Sequence, residues 1–315
     1  IAALIVVIYH AKFILWAGGT LWLQNIGLSS ISSYILFAID MLSSCGSQCV
    51  IVFFVLSGFV IFHSFKKSDH NLSHFYGIRL LRIYVPFLFS LAISLLVLYL
   101  AVGYFPQIAV SGVREYNTRM LTAYQETSIA NIGKTILFIP SQEYAGFNFA
   151  YWSLLHEAIF YIVFPLYYFA SNKIRVLIFI VLLGFFLLTG INIFYYQLYF
   201  IAGIFLYEYY DSGFKLLLKW RKLYIPIIAI MYCGVNLLVK YGAGQLADVA
   251  AVITVVLSFD YLLTSTKGTN KWMGKLADMS FTLYLNHLWI LLLCYVFCYK
   301  ITGKLINYER YPYYL

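Results

Sequence analysis

The chain has 315 residues, of which 63% are hydrophobic and 10% charged, against about 45–50% and about 25% in a soluble globular domain. With a mean hydropathy of +0.84, this composition excludes an ordinary soluble enzyme, a disordered chain and a disulfide scaffold, and it demands lipid around most of the surface. A net charge of +9 would suggest nucleic acid in a soluble protein, but in a polytopic membrane protein it reflects basic residues gathered in cytoplasmic connections.

An apolar helix needs about 20 residues to cross the bilayer core. Runs near that length recur along the chain, and nine spans are predicted: 1–17, 49–65, 83–104, 152–170, 174–193, 196–209, 223–239, 246–263 and 279–299. The sixth is short and the eighth carries acids. The expected fold class is an all-α polytopic integral membrane protein, with 1–315 forming a single transmembrane domain. No internal repeat of the transporter kind is visible. The first run starts at residue 1 without a basic flank, so no cleavable signal peptide is predicted and the start of the protein is expected to be missing.

Alternate connections differ in basic content. Lys66, Lys67, Arg79, Arg82, Lys173, Arg175, Lys215, Lys219, Arg221, Lys222, Lys267, Lys271 and Lys275 fall on one side; Arg114, Arg119, Lys134, Lys240, Lys300, Lys304 and Arg310 fall on the other. The richer set is predicted to be cytoplasmic, so the first span runs outward. Two outward connections, 18–48 and 105–151, are long enough to be functional or disordered. Their Trp22, Tyr116, Tyr124 and Tyr144 suit a carbohydrate face or, better, the membrane interface. The five cysteines include two pairs four apart, Cys45/Cys49 and Cys294/Cys298; no histidine cluster accompanies them, so packing rather than metal binding is expected.

Ionisable residues inside spans are costly and therefore informative. His63 and Asp248 lie near span ends where water is close, and Asp260 is expected to pair with a nearby cation. Lys12 is two positions from His10, hence on a different helix face. His10 and His287 belong well inside the membrane, where two imidazoles could form a relay, a metal site or a catalytic centre, or simply be satisfied by neighbouring helices. Glu157 falls about two turns into the fourth span, framed by Trp152 and Tyr161, and reads equally as a structural pair or a substrate ligand. His156 points to another face and is expected at the interface. Arg79 and Arg82, three apart, share a face if helical and suit bidentate contact with phosphates, although topology alone also places basic residues there.

Four stretches together resemble the acyltransferase-3 family over most of the chain. Ile1 to His10 resembles that family's first span, whose motif opens with an Arg eleven positions before the His and so ahead of residue 1 here. Val52-Phe53-Phe54-Val55-Leu56-Ser57-Gly58-Phe59 resembles the Phe-Phe-x-x-Ser-Gly signature, followed by Arg79-Leu80-Leu81-Arg82 as Arg-x-x-Arg. Trp152-Ser153-Leu154, Glu157 and Phe160-Tyr161 form the third stretch, and Ser280-Phe281-Thr282-Leu283-Tyr284-Leu285-Asn286-His287 the fourth. One departure is Ile51, which stands where many relatives carry an acid. The family's tenth span is expected to follow Tyr313-Tyr314-Leu315.

The resemblance implies transfer of an acyl group, commonly acetyl, from a coenzyme A thioester at the cytoplasmic face to a hydroxyl of an outward-facing acceptor, often a cell-envelope glycan, by a multi-pass enzyme of the inner membrane. Acyl-CoA is then a substrate; no resident cofactor and no metal is implied. His10 would be the general base or a transient acyl carrier, Arg79 and Arg82 would bind donor phosphates, Glu157 would orient the acceptor from the outer side, and His287 would position either substrate. Ser57, Gly58, Trp152, Ser153, Tyr161 and Tyr284 would support them, with Gly58 and Gly203 allowing close helix approach. A proton-coupled transporter or exporter and a glycan polymerase or ligase are the competing readings.

Overall fold

A computed structural model describes residues 1–16, 31–68, 70–111, 114–213, 222–265 and 271–305. Trp22, Lys215, Lys219, Arg221, Lys267, Arg310 and the terminal Tyr313-Tyr314-Leu315 run lie outside the described residues. Among the described residues the regular elements are all helical: α1 (Ala2–Leu15), α2 (Ile31–Leu42), α3 (Gly46–Lys66), α4 (Leu72–Tyr104), α5 (Glu115–Glu126), α6 (Ile129–Ile136), α7 (Trp152–Phe169), α8 (Asn172–Thr189), α9 (Asn192–Asp211), α10 (Tyr224–Lys240), α11 (Gly244–Ser265) and α12 (Lys271–Thr302), with short 3-10 turns between some of them.

Each of the nine predicted runs falls on a helix. Among the described residues six helical stretches are long and apolar enough to cross a membrane, and α1 and α10 are apolar but shorter. The Tyr-rich α9, which also carries Gln197 and Glu208, is not among them. Six spans are therefore supported by length and composition, fewer than the nine visible and ten total expected. The outside of the bundle is apolar, with Leu81, Phe89, Ile162, Leu166 and Leu188 all exposed, as lipid contact requires and water would not permit on this scale.

Helix directions follow from paired contacts. Phe54 meets Phe200 at 4.7 Å, Phe62 meets Tyr207 at 5.3 Å and Lys66 meets Asp211 at 2.6 Å, so α3 and α9 run parallel. Their backbones touch: a Cβ on Gly58 would lie 2.0 Å from the Phe200 carbonyl oxygen, and one on Gly203 2.0 Å from that of Val55. Only glycine permits this approach. In contrast α4 and α7 run antiparallel, since Phe75 packs on Phe164 (5.0 Å) while Phe87, further along α4, packs on Tyr151 just before α7 (5.0 Å). Ser90 donates to the Leu285 carbonyl and Phe105 meets Tyr299, so α12 runs parallel to α4.

α4 starts eleven residues before the apolar run predicted at 83, because Asn71 caps it by accepting from the His74 amide. That extension makes Arg79 and Arg82 helical. The outer connection 105–151 is largely ordered, and its last residues re-enter the bundle. Gly146 adopts φ +77° and presses against Ser94 of α4; Asn148 donates to the Leu285 carbonyl at 2.9 Å, and Tyr151 bonds Ser90 at 3.0 Å. Tyr116 and Tyr144, expected at a carbohydrate or interfacial surface, are instead buried in this packing. His156 is buried too, its ring against Tyr196, Trp152 and Phe54, because it faces α9 rather than lipid.

Candidate functional site

His10 of α1 and His287 of α12 meet across 277 residues of sequence, with His10 Nδ1 2.8 Å from His287 Nε2. The rings lie 20° from coplanar with centroids 4.9 Å apart, which is an edge-to-edge hydrogen bond rather than a face-to-face stack. His287 Nδ1 is 2.7 Å from the Tyr284 carbonyl. A carbonyl only accepts, so Nδ1 of His287 carries its proton, and in the neutral ring Nε2 is then the acceptor. His10 must donate from Nδ1, which leaves His10 Nε2 with a free lone pair. The tautomers follow from hydrogen-bond logic. Such a nitrogen is what a general base presents.

On its outer side the pair is covered by Phe149, whose ring edge meets His10 at 5.1 Å. Arg119 lies over the other part of that ring, 4.8 Å from its centroid, and is held by two bonds to Glu143, Nε to Oε1 at 2.5 Å and Nη2 to Oε2 at 3.1 Å. Burial pushes the Glu143 carboxyl above its ordinary range, with Arg119 opposing the shift.

A cavity of about 280 Å³ lies between α3, α4, α7 and α12. Its polar wall holds Ser57, Arg79, Arg82, Ser153, Glu157, Tyr161 and Tyr284; Phe53, Phe54, Val60 and Phe281 supply much of the apolar wall. The Tyr161 hydroxyl donates to Glu157. Among the described residues neither arginine forms an ion pair with Glu157 at contact distance, although all three line the same cavity. Arg79 rests between the rings of Phe75 and Tyr161, at 5.5 and 5.8 Å, and its Nε is buried without a hydrogen-bond partner. Tyr284 links the two regions. Its hydroxyl donates to Ser153 at 2.8 Å on the cavity wall, and its carbonyl takes the His287 proton one turn away.

The predicted site residues thus separate into two groups. The histidines form one, and the arginines, Glu157, Ser57, Ser153, Tyr161 and Tyr284 form the other. Glu157, assigned to the outer side on sequence, sits in the same cavity as the arginine pair. Gly58 and Trp152 stand behind the wall, Gly58 in the α3–α9 crossing and Trp152 against Phe54 and Tyr196. Ile51, in the place of the family's acid, is buried. Asp260 takes a hydrogen bond from Tyr224, and Asp248 from Gln48 and Tyr195.

Sequence reasoning missed Asp40, Arg119, Glu143 and Phe149. Lys12 was the one available signal, because a cation inside a span calls for an acid. Its Nζ bonds the Asp40 carboxylate at 2.9 Å, and Lys240 takes the second oxygen at 2.5 Å. Among the described residues no group of three or more His, Cys, Asp or Glu is placed to hold a metal.

Long apolar helices wrapped around a hydrogen-bonded histidine pair and a cavity with two arginines define a multi-pass membrane protein with a site suited to group transfer. A family model for an acyltransferase domain matches residues 1–302, so the chain belongs to the acyltransferase-3 family and is an acyltransferase by membership. No curated protein and no solved structure matches the chain significantly.

Proposed function

We propose that the protein is an inner-membrane O-acyltransferase that moves an acyl group, acetyl first among the candidates, from a cytoplasmic acyl-CoA to a hydroxyl of an outward-facing glycan. The reading is carried by the 2.8 Å bond between His10 and His287, which leaves His10 Nε2 unprotonated.

The acceptor hydroxyl gives its proton to His10 Nε2 as its oxygen attacks the thioester carbonyl. The carbon–sulfur bond breaks, and the leaving thiolate takes the proton back from His10, giving an ester and free coenzyme A. Positive charge on His10 is shared through Nδ1 with His287, whose own Nδ1 proton stays on the ring, donated to the Tyr284 carbonyl. Arg79 and Arg82 face the donor, and charge-assisted contacts with phosphate are their natural use. Glu157, in the same cavity, keeps Tyr161 fixed and balances the arginines when no anion is bound. The basic residues gathered at this end of the bundle favour its assignment to the cytoplasm.

His10→Ala in the full-length protein should lower acetyl transfer from acetyl-CoA by about 10²–10⁴, the usual contribution of a general base. Normal transfer by an equally expressed variant would remove His10 from the mechanism.

A further inference from the structure

A second cleft, of about 550 Å³, opens beneath the turn between α3 and α4, lined in part by Ser64, Lys67, Asn71, His74 and Arg79. Arg79 belongs to the walls of both cavities, so the two adjoin at this residue.

Basic residues at this end of a span are expected from topology alone, but three features set those in the cleft apart. The described residues lining it include Lys67, His74 and Arg79 and no acid. Two neighbouring cations outside the cleft are in ion pairs, Lys66 with Asp211 at 2.6 Å and Arg175 with Glu208. Arg79 is 8% exposed, yet its Nε has no partner, and a buried donor left unmade costs about 1–3 kcal/mol. The cleft also receives the start of α4, 33 residues long and capped by Asn71, whose first-turn amides and dipole favour an anion.

The geometry points to this cleft as the seat of the nucleotide end of acyl-CoA, with the phosphates against Lys67, His74 and the start of α4, and the pantetheine arm passing Arg79 into the first cavity. The inference rests on the acyl-CoA reading above and adds to it the residues that take the nucleotide. The volume is within the usual range for a ligand of this size, about 300–1,000 Å³. The first cavity, narrower and mostly apolar, suits the arm and the acyl group.

An anionic lipid headgroup offers the same phosphate chemistry, so the test must separate the two. Full-length protein in nanodiscs, of phosphatidylcholine alone or with phosphatidylglycerol, is titrated with labelled acetyl-CoA, with adenosine 3′,5′-bisphosphate and with S-acetylpantetheine. The bisphosphate should displace acetyl-CoA in both lipids. Lys67→Gln and His74→Gln, both at exposed positions, should each weaken bisphosphate binding on the order of tenfold, as loss of one charged contact does, with a smaller change for S-acetylpantetheine, and Lys67→Arg should restore it. Unchanged bisphosphate binding in both variants, with acetyl-CoA still bound by the wild type, would place the nucleotide elsewhere and leave the acyl-CoA reading intact. Weakening of acetyl-CoA by phosphatidylglycerol, with no displacement by the bisphosphate, would make the cleft a lipid site. Failure of the wild type to bind acetyl-CoA would overturn the donor reading, and this inference with it.

Discussion

Around the C-terminal half of α1 Lys12 and Lys240 converge on Asp40, Arg114 donates to the Phe13, Ile14 and Trp16 carbonyls, and Arg119 is clamped to Glu143. In the cavity between α3, α4, α7 and α12 Arg79 lies against the rings of Phe75 and Tyr161 and in no ion pair at contact distance among the described residues, Arg82 is exposed, and Glu157 is bonded by Tyr161. Both regions place arginine or lysine among apolar helices, where charge is expensive. Around α1 the protein supplies paired counter-groups and the cations hold helices together. In the cavity Glu157 stands among the arginines but pairs with neither at contact distance, and the cations remain available to a ligand. The state of pairing, more than the residue type, separates structural charge from working charge.

The sharpest way to break this comparison is Asp40→Asn. Lys12, 5% exposed, would be left as a buried uncompensated cation, and loss of one partner from such a group costs about 3–5 kcal/mol. Thermal unfolding in detergent should show a large fall in Tm. A variant as stable as the wild type would mean that this ion group holds nothing together.

Arg82→Ala should behave in the opposite manner, with Tm nearly unchanged and acetyl-CoA binding weakened by about 1.5–3 kcal/mol, on the order of ten- to a hundredfold in Kd. A fall in stability with no change in Kd would move Arg82 into the structural class. A smaller effect is expected from Gly58→Ala, whose new Cβ would meet the Phe200 carbonyl at 2.0 Å; forced separation of α3 and α9 should cost about 1–3 kcal/mol, read in the same unfolding assay.

The long apolar helices were legible because length and hydropathy are local properties, while the count of nine spans was not, since only six helices among the described residues are long and apolar enough to cross a membrane. Arg79 and Arg82 were legible as a pair for the same reason, since three-residue spacing on a helix is a local fact. The association of His10 with His287 was not, because no periodicity links residues 277 positions apart; the sequence offered only two costly imidazoles at similar depth. Glu157 went to the wrong neighbourhood for a related reason. Its distance along α7 suggested an outer position, whereas the inward extension of α4 and the packing of Phe75 on Phe164 bring the arginines up to it. Glu143 and Phe149 sit in the long connection 105–151, where polar composition reads as loop, and Asp40 sits in α2, an apolar helix that the reading of 18–48 as a connection passed over.

The account turns on the tautomer that His287 imposes on His10, and His287→Gln against His287→Leu tests it most directly. Glutamine keeps an oxygen acceptor near the Nε2 position, and leucine keeps the bulk without the acceptor. With acetyl-CoA and a glycan acceptor, the leucine variant should lose about a hundredfold or more in kcat, the lower bound for a disabled general base. KM for acetyl-CoA should stay close to the wild-type value, and the glutamine variant should recover most of the rate. Equal activity in the two variants, whether both normal or both lost, would contradict the account.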